Sequence, residues 1–305
     1  MQRVIRIGTR ESQLAVWQAT LVQDLLARHG AESQLVYVKS EGDIDLVTPL
    51  YEIGVQGIFT RSLDIALLNN SIDIAVHSMK DVPTQMPAGI TNAAVLERAS
   101  YLDILVYNGE KYFLENPDSQ AVIGTSSIRR RAQWLHEYPN HHIENLRGNV
   151  NTRLRKTAES HWNGAIFAAA GLERIHLRPD NSIDLDWMLP APAQGAIVVV
   201  ARASDEFCRE ICQTFNHQPT AVCTQIERDF LRALMGGCST PISALAKMQG
   251  DEILFEGNIV SPDGLDKAEI KKSISPDDYQ RAGAVLAKEI LENGGRRITE
   301  KLHNA

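Results

Sequence analysis

Short apolar runs alternate with stretches of helical periodicity over the first two thirds of the chain, and this alternation restricts the possible folds more than any other feature. Residues 4–7 predict a strand, and apolar residues between Leu14 and Leu25 recur at helical spacing before Gly30. The same pattern predicts a strand, a helix and a strand at residues 35–38, 58–68 and 72–76. Strands that alternate with helices indicate an α/β unit.

A second α/β unit follows, with four predicted strands at residues 104–107, 121–123, 143–146 and 165–169. Each of the last three strands leads into a predicted helix. The apolar run from Ala196 to Ala201 comes after a Pro-rich interruption and is typical of a strand covered on both faces. If that strand returns to the first unit, two crossovers join two domains, and a cleft lies between them.

From about residue 219 the pattern becomes that of a small α+β unit. A helix over residues 220–235 precedes a Gly-Gly-Cys loop, and two strands flank the turn sequence Ser261 to Gly264. A last helix has Ser275 as its N-cap and ends at Gly294-Gly295. The predicted domains are residues 1–98 with 196–216, residues 99–195, and residues 217–305.

The cysteines and the N-terminus bear on the cellular compartment. A chain of 305 residues does not need disulfide staples, and its cysteines lack the spacing of a metal site; they are Cys208, Cys212, Cys223 and Cys238. We expect reduced thiols and no metal. Charges interleave with apolar residues over positions 1–8, so we expect neither a signal peptide nor a membrane span. The sequence predicts a soluble cytoplasmic protein.

Charge is distributed unevenly along the chain. The net charge of −7 argues against nucleic acid as a partner, because phosphate binding needs a broad excess of Lys and Arg. Between residues 129 and 155, however, six arginines stand against two acidic residues. A concentrated positive segment in an acidic protein favours a small polyanionic ligand.

The segment from Gly124 to Arg131 follows a predicted strand and opens a predicted helix. Backbone N–H groups, hydroxyls and guanidinium groups can converge there on an anion. An N-capped helix with a solvated arginine face explains this segment alone equally well. Arg147 and Arg153 repeat the pattern after the next strand, and successive parallel strand ends share one edge of a sheet. Together the two segments favour a carboxylate-binding site.

Two further segments carry candidate chemistry. Residues 77–83 leave a predicted strand and stop at a proline. A Lys-Asp pair is usually a surface ion pair, and His77 is equally well explained as a core residue, but a position at the cleft makes Asp81 an acid–base candidate. Cys238 lies in a loop whose glycines would let a bulky group approach the sulfur, although a buried, inert thiol is the more common alternative.

Seven segments, in order and over nearly the whole chain, resemble the porphobilinogen deaminase family. They are RIGTRESQLAVWQA, DIAVHSMKDVP, IGTSSIRRRAQ, LRGNVNTRL, AAAGLERI, APAQGA and GGCSTPI. Each is moderately specific alone. All seven in this order and spacing leave little room for another family.

The resemblance implies a fold and an activity. The implied fold is α/β, with two domains like those of type II solute-binding proteins, a cleft between them and a small α+β C-terminal domain. The implied activity joins four porphobilinogen molecules, with loss of ammonia, into the linear tetrapyrrole hydroxymethylbilane. A dipyrromethane cofactor in thioether linkage to Cys238 is the implied primer. We expect a monomer with porphobilinogen as its small-molecule partner, without nucleic acid or membrane.

The resemblance also implies residue roles. Asp81 is the implied acid–base residue at the pyrrole nitrogens and the departing ammonia, a task that suits a carboxylate because protonated pyrroles must be stabilised while protons move. Basic and polar side chains hold the acetate and propionate groups. The cofactor is held by Lys80, Ser127, Arg129, Arg130 and Arg153. The substrate is held by Arg10, Ser12, Arg147, Arg174 and Gln194.

The chain departs from the usual family pattern at Gln56, Met235 and Ala193, where relatives often have Lys, Glu and Gly. The loop from Gly42 to Gly57 lacks periodicity, and we expect a mobile lid that carries less positive charge than usual because of Gln56.

The alternative to an enzyme is a two-domain protein that binds or senses a small anion, since fold alone does not give function. A periplasmic receptor would need a secretion signal, and a transcriptional sensor would need an attached DNA-binding segment. We expect neither.

Overall fold

The computed structural model describes residues 3–39, 60–234 and 241–303, with the backbone alone for 301–303. Several predictions from the sequence fall elsewhere. The predicted lid from Gly42 to Gly57, with Gln56, lies outside the described residues, and so do Met235 and Cys238.

The strands agree with the predicted apolar runs to within about two residues at each end, the usual uncertainty of element boundaries. In chain order they are β1 (Ile5–Thr9), β2 (Ser33–Tyr37), β3 (Ile74–Ser78), β4 (Ile90–Val95), β5 (Asp103–Tyr107), β6 (Val122–Gly124), β7 (His142–Glu144), β8 (Gly164–Ala168), β9 (Ser182–Asp184), β10 (Ile197–Arg202), β11 (Ile242–Gln249), β12 (Glu252–Val260) and β13 (Lys267–Ile274). The sequence pattern does not predict β4, which carries the polar pair Thr91-Asn92, the three-residue β9 or β11. In the last unit it predicts only β12 and β13, the two strands that flank residues 261–264.

The helices are α1 (Gln13–Arg28), α2 (Arg61–Leu68), α3 (Ile128–Glu137), α4 (Val150–Glu159), α5 (Ala169–Glu173), α6 (Glu206–Gln213), α7 (Gln218–Ala233), α8 (Tyr279–Ile290) and α9 (Arg296–His303). Helices α3, α4 and α5 follow the three strands that were expected to lead into helices, whereas the sequence pattern does not predict α6 or α9. None of the helices in the described part of the chain is long and apolar enough to cross a bilayer.

The first unit is a five-stranded sheet in the order β2-β1-β3-β10-β4, with α1, α2 and α6. Strand β1 pairs in parallel with β2 and β3, whereas β10 is antiparallel to β3 and β4. Val199 of β10 packs among the residues around α1, and Val198 and Val200 pack on the α2 side. The run predicted to be covered on both faces is covered on both faces.

The second unit is a five-stranded sheet in the order β7-β6-β8-β5-β9, with α3, α4 and α5. Strand β6 pairs in parallel with β7 and β8, and β5 is antiparallel to β8 and β9. In both large sheets, four strands therefore run in one direction, and one strand, in the fourth position, runs in the opposite direction. The third unit is the antiparallel sheet β11-β12-β13 packed on α7, α8 and α9. The fold is the α/β class with a small C-terminal α+β unit that the sequence predicts.

The C-terminal end differs from the prediction, because the chain returns to helix after Gly294-Gly295. Gly294 has φ 103°, a left-handed conformation that interrupts the helix, and the backbone turns there before α9 begins. Ile298 of α9 is 2% exposed and belongs to the core of the third unit. The pair of glycines correctly marks a break in the helix but does not show that a second helix follows. Helix α9 forms there because Ile298 is buried in the core of the third unit.

An ion-pair network ties the N-terminal strand to the far side of the first unit. We call it the Asp73 cluster: Asp73, Asp205, Arg3, Arg6 and Arg202. The carboxylate of Asp73 accepts hydrogen bonds from Arg3 Nη2 at 2.7 Å, Arg6 Nε at 2.9 Å and Arg202 Nη2 at 3.1 Å. Asp205 accepts from Arg3 and Arg202 at 2.6 and 2.8 Å.

Candidate functional site

The residues predicted to bind ligands follow strands that end on two sheet edges. In the first unit, Arg10 and Ser12 follow β1, and Lys80 and Asp81 follow the adjacent parallel strand β3. In the second unit, Ser127, Arg129 and Arg130 follow β6, Arg147 and Arg153 follow β7, and Arg174 follows β8. The parallel pairing of β6 with β7 confirms that these two strand ends share one edge.

Two contacts bring the two edges together across a cleft, Asn151 with Gln13 and Arg174 with Trp17. Asn151 Nδ2 of α4 donates to Gln13 Oε1 of α1 at 3.0 Å. The guanidinium carbon of Arg174 lies 5.9 Å from the ring centre of Trp17, and Arg174 Nη2 donates to the carbonyl of Gly195 at 2.7 Å. The start of α1 therefore faces α4 and α5 of the second unit.

Asp81 ends a single 3₁₀ turn, Met79–Asp81, that continues β3. The turn is held from the third unit: buried Arg228 of α7 donates to the carbonyls of Met79, Val82 and Pro83 at 3.1, 2.9 and 2.6 Å. The Asp81 side chain is half-buried, and no described residue donates a hydrogen bond to its carboxylate. The turn is fixed while the carboxylate stays available.

Side chains linked by hydrogen bonds around one buried carboxylate form what we call the Asp103 cluster: Asp103, Arg129, Arg130, Gln194 and Lys80. Asp103 opens β5 and is fully buried. Its Oδ2 accepts from Arg129 Nη2 at 2.6 Å, and its Oδ1 accepts from Arg130 Nε and Nη2 at 3.0 and 2.7 Å. Gln194 Nε2 also donates to Oδ1, at 3.0 Å, and Gln194 Oε1 accepts from Lys80 Nζ at 3.2 Å.

The surroundings shift the pKa values of this cluster strongly. Burial alone would raise the pKa of Asp103, but the charges of Arg129 and Arg130 hold it well below its usual range. Burial lowers the pKa of Lys80 to about 8; Arg130 and Arg129 act in the same direction, and Asp81 and Asp103 oppose them. Lys80 is therefore close to its titration midpoint at pH 8, whereas Asp103 is fully ionised there. Gln194 links the two side chains.

The two arginines differ in their remaining donors. Arg129 also donates from Nη1 to the carbonyl of Leu189 at 2.8 Å, and Arg130 from Nη1 to the carbonyl of Ile166 at 2.9 Å. Among the described residues, none accepts from the buried Nε of Arg129. A buried donor without an acceptor is costly, so this atom marks a place where an external acceptor would fit.

The outer arginines extend the positive charge toward Asp81. Arg153 Nε donates to the carbonyl of Gly148 at 2.7 Å. Burial lowers the pKa of Arg153 to about 10, helped by the charges of Arg130 and Arg147 and opposed by Asp81. Burial likewise lowers the pKa of Arg174 to about 10. Arg147 is buried beside this group.

The predicted serines occupy helix N-termini, and the predicted core histidine is buried. Ser12 caps α1 by accepting from the Ala15 amide, and Ser127 caps α3 by accepting from the Arg130 amide, both at 3.4 Å. Burial, with a further contribution from the charge of Arg10, lowers the pKa of His77 to about 3. His77 is therefore a neutral core residue.

Besides Arg228, two buried side chains, Gln133 and Glu227, connect the third unit to the other two units. Gln133 of α3 donates to Ser243 Oγ at 3.0 Å and accepts from Asn258 Nδ2 at 3.2 Å. Glu227 of α7 pairs with Arg98 at 2.6 and 2.9 Å and accepts from the Ala193 and Ala246 amides at 2.6 and 2.7 Å. Ala193 has φ 63°, a conformation that favours glycine, and this accounts for the glycine usual at that position.

Several residues that hold the site side chains in place are not predicted from the sequence. Asp103, Arg228, Glu227 and Gln133 form hydrogen bonds that hold the candidate residues in place. Asp103 carries one detectable signal, a charge at the head of the apolar run Ile104 to Tyr107. Cys208, Cys212 and Cys223 are buried free thiols, and burial raises the pKa of the first two to about 12 and of the third to about 11. The described residues contain no group of side chains that could hold a metal ion.

Comparison with known proteins gives matches over almost the whole length. A family model described as "Porphobilinogen deaminase, dipyromethane cofactor binding domain" matches residues 5–210, and one described as "Porphobilinogen deaminase, C-terminal domain" matches residues 221–292. The porphobilinogen deaminase of Syntrophomonas wolfei is 40% identical over 300 residues, which are 97% of this chain and 98% of that one. The porphobilinogen deaminase of Geobacter sulfurreducens is 40% identical over 305 residues, 98% of this chain and 95% of that one.

Proposed function

The chain belongs to the porphobilinogen deaminase family, and we propose that its buried cations hold the pyrrole carboxylates, Asp81 moves the protons and Cys238 carries the cofactor. The chain is a transferase of tetrapyrrole biosynthesis that joins four porphobilinogen molecules, with loss of ammonia, on a dipyrromethane primer. Family membership does not favour the alternative of a solute-binding or sensing protein.

A surplus of buried positive charge is the observation that carries the proposal. Among the described residues, five cations interact electrostatically around the cleft with the two carboxylates Asp81 and Asp103. Arg129, Arg130 and Arg147 are buried, and Lys80 and Arg153 are half-buried. Buried positive charge is costly unless anions balance it, so an excess of cations over carboxylates is typical of a site built for an anionic ligand. Pyrroles with acetate and propionate side chains match it, and the buried Arg129 Nε offers a donor for one such oxygen.

We assign the basic and polar side chains to two ligands according to their match with the family motifs. Lys80, Ser127, Arg129, Arg130 and Arg153 hold the cofactor. Arg10, Ser12, Arg147, Arg174 and Gln194 hold the incoming substrate. Gln194 links the two sets, because its Oε1 accepts a hydrogen bond from Lys80. Guanidinium groups suit this task since two parallel N–H donors match one carboxylate.

The position of Asp81 supports a role in proton transfer. When bound, the dipyrromethane supplies a pyrrole α-carbon that attacks the incoming unit. The Asp81 carboxylate, which accepts nothing from the described residues, has both oxygens available for pyrrole N–H groups and for the proton that moves to the departing amine. Such acid–base assistance commonly contributes about 10² to 10⁴ in rate. Arg228 fixes the turn, so the carboxylate is oriented before substrate arrives.

Chain connectivity supports Cys238 as the attachment point. Cys238 precedes Ser243 by only five residues, a span of at most about 18 Å when fully extended. Ser243 accepts a hydrogen bond from Gln133, which lies one helical turn after Arg129 on α3. A cofactor on Cys238 is therefore within reach of the arginine edge. The buried thiols with raised pKa values are poor nucleophiles by comparison.

The remaining assignments rest on the sheets and on the family. We propose domains of residues 1–98 with 196–216, residues 99–195 and residues 217–305. We also propose a monomer that works in the cytoplasm without nucleic acid.

Intact-mass measurement tests the proposal most directly. The purified protein should carry two linked pyrrole units, mapped to Cys238 and lost in Cys238→Ala but retained in Cys223→Ala. Asp81→Asn, which keeps the shape but cannot exchange a proton at neutral pH, should fold and lose most turnover. Asp251→Asn, in an exposed turn, should leave turnover unchanged. Protein made with ample porphobilinogen that lacks the added mass, or an Asp81→Asn variant with parent turnover, would contradict it.

A further inference from the structure

Among the residues that the structure describes, Asp103 is the one carboxylate buried within the group of cations assigned to the cofactor. Its two oxygens accept four hydrogen bonds from three side chains, and the residue is fully buried. Arg130 approaches with Nε and Nη2 together, the fork geometry that fixes the plane of a guanidinium group. Asp103 has no exposed oxygen with which to meet substrate.

These contacts fix three cations at once. Arg129 and Arg130 are bound directly, and Lys80 is linked through the amide of Gln194. The side chains come from four parts of the chain: the 3₁₀ turn, β5, α3 and the connection before β10. One carboxylate thus sets the relative positions of groups on both sides of the cleft.

We propose that Asp103 is a positioning residue, which orients Arg129 and Arg130 and, through Gln194, Lys80, so that they receive cofactor carboxylates without rearrangement. The proposal rests on the function proposed above. Preorganised donors bind an incoming charge more tightly than donors that must first be ordered, because the ordering cost is met during folding.

Electrostatics gives the proposal a signature that packing alone would not produce. Within residues 3–39, 60–234 and 241–303, the charged groups that act on Lys80 are Arg130, Asp81, Asp103 and Arg129, and the Asp103 charge raises the Lys80 pKa. Lys80 loses its charge as the pH rises through about 8. Without the Asp103 charge, that loss moves to lower pH, and binding that needs the Lys80 cation fails earlier on the alkaline side.

The chain offers a matched control in Asp73, another buried aspartate that pairs with arginines. Asp73 is 2% exposed and bonds Arg3, Arg6 and Arg202, far from the arginine edge of the second unit. Asp73→Asn removes the same charge from a comparable network. An effect that Asp73→Asn and Asp103→Asn share is therefore an effect on stability. An effect seen only in Asp103→Asn reflects the role of Asp103 at the binding site.

The experiment compares Asp103→Asn with Asp73→Asn and the parent protein. Intact mass gives the fraction carrying cofactor, thermal unfolding gives stability, and kcat/KM across pH 6 to 10 gives the alkaline limb. Both variants should lower Tm. Only Asp103→Asn should reduce cofactor occupancy or raise KM, by about tenfold, the loss expected for one charge-assisted contact. Only Asp103→Asn should also shift the alkaline fall of kcat/KM to lower pH.

A second variant covers the case in which Asp103→Asn does not fold. Asp103→Glu keeps the charge but displaces the carboxylate by one methylene, so positioning predicts lowered occupancy, whereas simple charge neutralisation predicts parent behaviour. Parent occupancy, KM and pH limb in whichever variant folds would overturn the proposal. An inactive parent without added mass would instead refute the proposed function, so the two failures are distinct.

Discussion

The Asp73 cluster and the Asp103 cluster are both built on a buried aspartate with arginine partners, but their charges balance differently. The Asp73 cluster sets three arginines against the two carboxylates Asp73 and Asp205. Among the described residues, the Asp103 cluster sets the two arginines Arg129 and Arg130 against one carboxylate, and Lys80 interacts with both Asp103 and Asp81. Solvent access differs as well: the Arg3 side chain is 41% exposed, whereas that of Arg129 is 6% exposed.

The contrast between the two clusters distinguishes a structural ion-pair network from a binding site. Water screens the residual charge of the Asp73 cluster, so that network needs no further partner. In the Asp103 cluster, Arg129 and Arg130 share the Asp103 carboxylate away from water, where an excess of charge is costly. A ligand carboxylate removes that cost. Burial and charge balance together, rather than the number of arginines, therefore mark the functional cluster.

The largest contrast is expected from removing one arginine in each cluster. Arg130→Leu should impair cofactor assembly or turnover at least about tenfold, because a charge-assisted carboxylate contact contributes about 1.5 to 3 kcal/mol. Arg6→Leu should change turnover by no more than about twofold, as a partly exposed substitution far from the cleft. Turnover, intact mass and Tm of both variants check this. Equal turnover losses would erase the distinction between the clusters.

A smaller effect is expected from pH. Lys80 in the Asp103 cluster has a lowered pKa of about 8, so its charge is present at pH 7 and mostly lost at pH 9. Where binding needs that charge, KM for porphobilinogen should rise, approaching about tenfold between those pH values. Lys80→Arg should keep its charge and flatten the rise. A parent KM that is flat over this range would show that the Lys80 charge does not matter to binding.

The smallest effect is expected at the exposed edge of the Asp73 cluster. Arg3→Ala removes ion pairs that solvent screens, and should lower the free energy of unfolding by at most about 1 kcal/mol. Cofactor occupancy should stay at the parent level, and the stability difference should shrink in high salt. Chemical denaturation at low and high salt measures it; a lowered occupancy would give the Asp73 cluster a role in the site.

Much of the fold follows from local patterns in the sequence. Strands such as β5 and β10 are apolar runs bounded by polar or Pro-rich segments, and α1 shows its buried stripe plainly. The pattern does not reveal α9, because its stabilising contact is Ile298 in a core assembled from distant strands. Tertiary packing decides such elements.

Less of the candidate site than of the fold can be predicted from the sequence. The arginines stand out as a charge cluster, and the resemblance supplies Asp81. The partner of Arg129 and Arg130 does not stand out, because Asp103 precedes them by more than twenty residues and reaches them only when β5 pairs with β8. Arg228 likewise reaches the Asp81 turn from α7. Such residues act through space, and only the folded arrangement identifies them.

The placement of β10 between β3 and β4 also governs how the molecule can be made. The first sheet lacks that inner strand until residue 202 has been synthesised, roughly a hundred residues after β4. At ribosomal speeds of about 5–20 residues per second, the wait is on the order of 10 s. During that time β3 and β4 expose strand edges that a nascent chain must protect. The second sheet has all of its strands by residue 184 and can close earlier. The half of the molecule that the ribosome begins first is thus the half that it completes second.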